Sequence, residues 1–347
     1  MEVQTFELAD FYAVAAGAAV LASGGGGGYQ DAQAILNQLA ATGWSGTVRV
    51  QSYDGMTNAC VLAIMGSPNA AESLSLEAVT QAARNTLSVF NASTGARLGC
   101  LIPVEIGPIN SLVPLIAAAL LPGSLWVVDG DGAGRAVPEL PQTTFGGSLT
   151  LPASPAALAS DQAVAAEVES AVLNARTASQ LETLAGGVVA AFGGYSGIAL
   201  WPSISSNGFP LKGSYIEGTL SQAKALGQRL LSATKPLSTA EVAQAISQIT
   251  GRVATALVSN FYITSVTQST TSASLDCGLI RLDNSPVPSQ STQTHILYNL
   301  NENLIMYSSS SSAPDAIAPD SICYYSEGTG RGFSNASDDR ARFFQCL

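Results

Sequence analysis

At 347 residues the chain exceeds what one hydrophobic core usually serves, so two domains are expected. Hydrophobic residues make up 47% and charged residues 11%, a balance that predicts extensive burial, part of it between copies of the chain in a homo-oligomer. The net charge of -11, with no lysine before Lys212, excludes nucleic acid and anionic membrane surfaces as partners, because neither can be held without clustered cations.

No apolar run reaches the ~20 residues that a membrane helix requires. Val14 to Ala22 is apolar, but Glu2, Glu7 and Asp10 precede it where a signal peptide carries positive charge, so the segment reads as a buried helix and the protein as cytoplasmic. The apolar periodicity predicts this first helix over Leu8 to Leu21, stopped by the glycines Gly24 to Gly28, and a second over Tyr29 to Ala40. Strands are expected at Thr47 to Gln51, Cys60 to Met65, Cys100 to Val104 and Leu125 to Val128. Helices are expected between them at Leu74 to Phe90 and Leu112 to Leu121. Short apolar runs alternating with helical periods signal βαβ units, hence an α/β three-layer sandwich with a largely parallel sheet over residues 1–165.

Beyond Phe145 the pattern changes. Gly147 to Leu151 and Ala157 to Glu169 suggest an antiparallel excursion. Helices are expected at Ser179 to Phe192, Thr219 to Ser232 and Thr239 to Ile249, with a strand at Ile198 to Trp201. Alternating polarity then predicts strands at Arg252 to Thr267, Ser274 to Leu282, Thr294 to Tyr298, Leu304 to Ser308 and Ser321 to Tyr325. Residues 166–347 are thus expected to form a mainly-β domain, a small β-barrel or sandwich with accompanying helices.

In an open parallel sheet, ligands bind beyond the carboxyl ends of the strands. Three expected strands end in chemistry-bearing residues: one at Gly66 and Ser67, one at Glu105 with Asn110 following, and one at Asp129, followed by Asp131, Arg135 and Glu139. Closely set carboxylates push one another's pKa values apart, which supplies a general acid and a general base together. Glu105, Asp129, Asp131 and Glu139 are therefore the candidate catalytic groups, with Arg135 and Asn110 as substrate-binding groups. The alternative for Asp129 and Asp131 is a tight turn whose carboxylates cap backbone amides. No metal cofactor is required, but oxygen ligands of this kind would suit a divalent cation held by Asp129, Asp131 and Glu105. The single histidine, His295, excludes multi-histidine metal sites and reads as structural. The five cysteines, Cys60, Cys100, Cys277, Cys323 and Cys346, are scattered and read as free thiols. The glycine run fails as a phosphate loop, because a helix precedes it and no Gly-Lys-Ser/Thr follows. Gly25 and Gly26 are instead expected to line the pocket.

These motifs resemble a known family. Pro103 to Gly107, Asn110 to Leu112, Asp129 to Gly132, Gly134 to Ala136, Pro138 to Leu140 and Thr143 to Phe145 look like the signature of the S-methyl thiohydantoin desulfurase-like family, associated with hydantoinase/oxoprolinase proteins. Gly17 to Leu21, Met65 and Gly66 with Pro68, Gly218 to Ser221, Asn301 to Leu304, and Pro319 and Asp320 with Ile322 and Cys323 agree in order, so the resemblance spans nearly the whole chain. It implies an α/β domain followed by a mainly-β domain, with Gly66, Thr143 and Thr144 beside the substrate. It also implies hydrolysis of an S-methylated thiohydantoin, a small heterocycle, to a hydantoin and methanethiol. Pro108, Ala133, Val137 and Pro141 depart from the pattern and bear on substrate identity. The alternative function is a non-catalytic ligand-binding or assembly partner of a hydantoinase/oxoprolinase-type enzyme.

Overall fold

The computed structural model describes residues 3–66, 74–270 and 276–335; Ser67, Pro68, the start of the strand expected at Ser274, and Cys346 lie outside them. The first half is built on a mixed eight-stranded sheet. Its strands are β1 (Gln4–Phe6), β2 (Val48–Gln51), β3 (Ala59–Gly66), β4 (Cys100–Pro103), β5 (Trp126–Val128), β7 (Ala156–Ala159), β8 (Ser170–Leu173) and β9 (Tyr195–Ser203). They stand in the order β1-β2-β5-β4-β3-β9-β7-β8. The four central strands β2, β5, β4 and β3 are mutually parallel, and the flanking pairs are antiparallel. The sheet thus continues past residue 165, taking β8 and β9 from beyond it.

The burial pattern explains why the central strands read as continuous apolar runs. β3 alternates Cys60, Leu62 and Ile64 into one core and Ala59, Val61 and Ala63 into another. The first core is closed by α1 (Leu8–Leu21), α2 (Tyr29–Ala41), α3 (Leu76–Thr94), α4 (Leu112–Leu120) and α6 (Thr219–Ser232). The second is closed by α5 (Ala178–Ala191) and the loop carrying Leu140, Phe145 and Leu151. Helices therefore cover both faces, giving three layers. Ser75 caps α3 by accepting from Ala78 N–H at 3.0 Å, and Gly95, at φ 65°, ends it. α1 crosses α6 backbone to backbone: a Cβ on Gly17 would overlap the Ala223 carbonyl, and one on Gly227 the Ala13 carbonyl.

After α7 (Thr239–Thr250) comes an antiparallel five-stranded sheet of β11 (Tyr262–Thr270), β12 (Asp276–Asp283), β13 (Thr294–Leu300), β14 (Glu302–Ser308) and β15 (Pro314–Ile317), paired in sequence order. β11 and β15 are not paired with each other, so the sheet is open, where a barrel or sandwich was expected. Ile280, Leu282, Leu297 and Met306 on its inner face pack against Phe261, Ile322, Tyr324 and Phe333 from irregular chain. Two strand expectations are corrected here. Gly251, at φ 70°, ends α7, and residues 252–261 run as a loop with Val253 exposed, so the first strand begins only at Tyr262. Ser321 to Tyr325 is not a strand, because the Ser23 hydroxyl takes both backbone groups of Ile322: it accepts from the N–H at 2.9 Å and donates to the carbonyl at 3.1 Å. A short ribbon, β6 (Gly130–Asp131) with β10 (Ile216–Glu217), joins the end of β5 to α6. Among the described residues no helix is long and apolar enough to cross a membrane.

Candidate functional site

A cavity of about 100 Å³ opens at the carboxyl ends of β3 and β4, where the open-sheet rule places a ligand. Its walls come from four sources: Ala63 to Gly66 of β3, the loop after β4 with Glu105 and Asn110, the segment Val137 to Leu140 with Thr143, and Asn301 between β13 and β14 with Glu302, the first residue of β14. Gly26 of the glycine run and Glu182 of α5 complete it. The volume holds several water molecules. It suits a small ring and is well below the several hundred Å³ of a nucleotide-sized site.

Glu105 is buried at the centre of this wall. Its Oε1 accepts from Asn110 Nδ2 at 2.7 Å and its Oε2 from Val137 N–H at 2.9 Å. The Asn110 amide is oriented by β3: its Oδ1 accepts from Ile64 N–H at 3.1 Å, which turns the NH₂ towards Glu105. Burial pushes the Glu105 carboxyl up to about 7, against the two hydrogen bonds and Arg135, which favour the anion. Glu302, also buried, is raised well above the usual carboxylate range by burial and then by the Glu105 charge, with Arg135 opposing. Its carboxyl rests on the glycine run. A Cβ on Gly25 would overlap Glu302 Oε1, and Gly26 supplies a backbone hydrogen bond. The glycines are thus needed for close approach by a side chain from the second domain rather than by a phosphate.

Of the residues singled out in the sequence, Glu105, Asn110, Glu139, Thr143, Gly26 and Gly66 come together around the cavity, whereas Gly25 is not part of its lining and packs against the Glu302 carboxyl. Asp129, Asp131, Arg135 and Thr144 are not part of its lining. Asp129 holds the start of α6: Ser221 donates from its N–H to Oδ1 at 3.0 Å and from its hydroxyl to Oδ2 at 2.6 Å. Asp131 is closed into its own turn, accepting from Ala133 N–H at 2.9 Å and Gly134 N–H at 2.8 Å. Here the capping-turn alternative describes the geometry, and the shared crevice does not include these two groups. Arg135 is likewise spent on backbone carbonyls, donating from Nε to Ala136 at 2.8 Å and from Nη1 to Asp320 at 2.9 Å and Pro319 at 3.1 Å. It ties the two domains together, and among the described residues no Lys or Arg lines the cavity. Thr144 is exposed, and its N–H donates to the Gly132 carbonyl at 2.7 Å. Among the described residues no three His, Cys, Asp or Glu side chains form a metal-ligating group, so Asp129, Asp131 and Glu105 do not assemble the ligand set considered for a cation.

The capping role makes a prediction. Asp129→Ala should lower stability by about 1 kcal/mol, the usual effect of losing an N-terminal helix cap, with no change in ligand affinity. Urea denaturation and calorimetry check both halves. A variant of unchanged stability that no longer binds ligand would return Asp129 to the site.

Thr143 lines the cavity, but its hydroxyl also organises a turn, donating to Leu140 O at 2.8 Å and accepting from Gly146 N–H at 3.0 Å. Glu139 is half-buried, and its N–H is bound by the Gln142 side chain at 3.2 Å. Three polar lining residues were missed by sequence reasoning. Glu182 belongs to an amphipathic helix and looks like a solvated face, yet its Oε2 accepts from Leu140 N–H at 2.9 Å and burial raises its carboxyl. Asn301 and Glu302 sit far along the chain, and their signal was the family-like string Asn301 to Leu304.

Comparison with known proteins agrees with this architecture. An X-ray crystal structure of a protein from Chromobacterium violaceum matches over 96% of this chain and 85% of that one, at 25% identity and a TM-score of 0.74. No curated protein matches the chain. Residues 9–170 match the model described as "S-Me-THD-like, N-terminal domain", and residues 176–337 the model described as "S-Me-THD-like, C-terminal domain". With both halves matched in order, the chain belongs to the S-Me-THD-like family, the S-methyl thiohydantoin desulfurase-like family that its motifs resemble.

Proposed function

We propose that the chain is a hydrolase of a small, uncharged five-membered nitrogen heterocycle, with an S-methyl thiohydantoin as the substrate that the family suggests. The observation that carries this reading is Glu105: a buried carboxyl at the carboxyl ends of two parallel strands, facing a ring-sized cavity and held near pKa 7. A general base works best when its pKa lies close to the operating pH. Each Glu105 oxygen accepts one hydrogen bond and retains a lone pair for a water proton. In this reaction Glu105 takes a proton from water as the water oxygen attacks the ring carbon that bears sulfur. Asn110 is a positioning residue that fixes the Glu105 carboxylate. Glu139, which lines the cavity and is half-buried, contacts the ring substituent. The absence of Lys and Arg from the lining among the described residues supports an uncharged ring over a carboxylate-bearing ligand.

The test is methanethiol release from an S-methyl thiohydantoin by the purified protein, followed by headspace gas chromatography. Release above the uncatalysed background is expected. A protein that binds hydantoins without releasing methanethiol would point to the binding-partner alternative.

A further inference from the structure

Glu302 presents a feature that the Glu105 chemistry leaves unused. One end of its carboxyl is seated on the glycine run, but Oε2 is buried with no hydrogen-bond partner, and the residue lines the cavity. Leaving a buried polar oxygen unpaired costs about 1–3 kcal/mol, so its retention calls for a partner that arrives with the ligand. The segment bearing it is fixed. Asn301, at φ 54°, donates from its N–H to Asp276 O at 2.6 Å and accepts Asp276 N–H on Oδ1 at 2.8 Å, while Asn335 Nδ2 donates to Asn301 O at 2.7 Å. A hairpin of the second domain therefore brings a carboxyl with one unpaired oxygen to the wall of a cavity that Glu105 lines from the first.

We propose that Glu302 is a second catalytic residue, a neutral carboxylic acid that donates from Oε2 to a ring nitrogen while Glu105 handles the water. This rests on the Glu105 reading and adds to it a two-domain site selective for uncharged rings. Burial and the neighbouring Glu105 charge both favour the protonated form of Glu302. The protons balance. As the water oxygen bonds to the ring carbon, Glu105 takes one water proton, the C=N electron pair moves to nitrogen, and nitrogen takes the Glu302 proton. The carbon–sulfur bond then breaks, and methanethiolate leaves with the proton from Glu105. The new hydroxyl returns its proton to Glu302 as the ring carbonyl forms. Ring plus water gives hydantoin plus methanethiol, with both carboxyls restored.

Glu302→Gln keeps an oxygen acceptor on the glycine run and places an NH₂ donor where Oε2 lies, so it should fold normally, still bind and fail to transfer a proton. The measurement is kcat, KM and the pH profile of the full chain on the S-methyl thiohydantoin of glycine, with calorimetric binding of hydantoin and of N-carbamoylglycine. Glu302→Gln is expected to hold KM for the thiohydantoin, whose imine nitrogen can accept from the new NH₂, within about threefold, to weaken hydantoin, whose ring N–H would meet that NH₂ donor to donor, to lose about 10²–10⁴-fold in kcat, and to lose the alkaline limb of the profile while keeping the limb near pH 7. Glu302→Leu should weaken hydantoin about tenfold or more, the loss of one buried hydrogen bond. N-carbamoylglycine, an anion, should not compete. A Glu302→Gln enzyme with wild-type kcat and an intact alkaline limb, or a Glu302→Leu protein with wild-type hydantoin affinity, overturns the role of Glu302 and leaves Glu105 standing. A wild-type protein that neither binds hydantoin nor turns over the thiohydantoin overturns both.

Discussion

Glu105→Gln is expected to lower kcat on an S-methyl thiohydantoin by about 10²–10⁴-fold, the usual contribution of a positioned general base, with a much smaller change in KM. The substitution also has a structural consequence. Both carboxylate oxygens of Glu105 accept, from Asn110 Nδ2 and Val137 N–H, so an amide at this position turns one NH₂ against a donor. That mismatch costs about 1–3 kcal/mol, which makes the far-ultraviolet spectrum and denaturation midpoint necessary companions to the rate. The informative contrast is with Asp129→Asn and Asp131→Asn. Those carboxylates serve the start of α6 and a local turn, so their loss should appear in stability with kcat within about threefold of wild type. A folded Glu105→Gln protein with full activity, beside an inactive Asp131→Asn, would move the chemistry back to the Asp129 to Gly132 turn.

Between about pH 5 and pH 8 the protein is expected to become less stable as pH rises. The direction follows from three raised carboxyls. Burial lifts Glu105 to about 7 from an ordinary 4.5 and Asp131 to about 6 from 3.8, and Glu302 is raised well above its ordinary value. The folded state keeps these protons through a range in which the unfolded chain releases them. Unfolding therefore releases protons, and higher pH favours it. The Glu105 contribution is fully present below about pH 4.5 and lost as pH passes through about 7. At about 1.4 kcal/mol per unit, that residue alone accounts for roughly 3 kcal/mol. Urea denaturation across the range checks this, and Glu105→Gln should flatten the slope. Stability that is level or rises over the same window would mean that these carboxyls are not held protonated by burial. The two carboxyls differ in what the proposed activity asks of them: Glu105 must lose the proton that burial retains, and Glu302 must keep it.

Much of the fold is written locally. α1 and α6 span Leu8–Leu21 and Thr219–Ser232 as their apolar patterns indicate, because each begins and ends at a change in polarity; α6 packs along one stripe, whereas α1 is buried on all sides from Ala13 to Leu21. The central strands are legible because burial on both faces makes them unbroken apolar runs. β1 is three residues long and has no pattern to read. Ser321 to Tyr325 has the alternation of a strand, but a side chain from the other domain supplies its hydrogen bonds, and no local pattern records that. The open edges of the small sheet are equally a matter of tertiary pairing.

The site divides in the same way. Glu105, Asn110 and Gly66 follow from the rule that parallel strands present their carboxyl ends to a ligand. Asp129 and Asp131 satisfy that rule too, but an Asp-Gly-Asp-Gly string is also a good turn, and only the placement of α6 and the amides of Ala133 and Gly134 separates the two uses. Arg135 looks like an anion clamp in sequence because it is isolated; in three dimensions it meets three carbonyls, two of them from residues far along the chain. Glu302 was hidden for the converse reason. A single glutamate opening an apolar strand resembles an exposed edge residue, and its burial depends on a glycine run from the opposite end of the sequence.

Soaking crystals with hydantoin and refining its position tests the account most directly. The ring is expected between Glu105 and Glu302, with one nitrogen within hydrogen-bond reach of Glu302 Oε2 and its C2 carbonyl carbon facing Glu105. A ring bound instead in the larger cavity of about 530 Å³ lined by Val242, Arg252, Leu297 and Tyr325, with the Glu105 pocket unchanged, would contradict it.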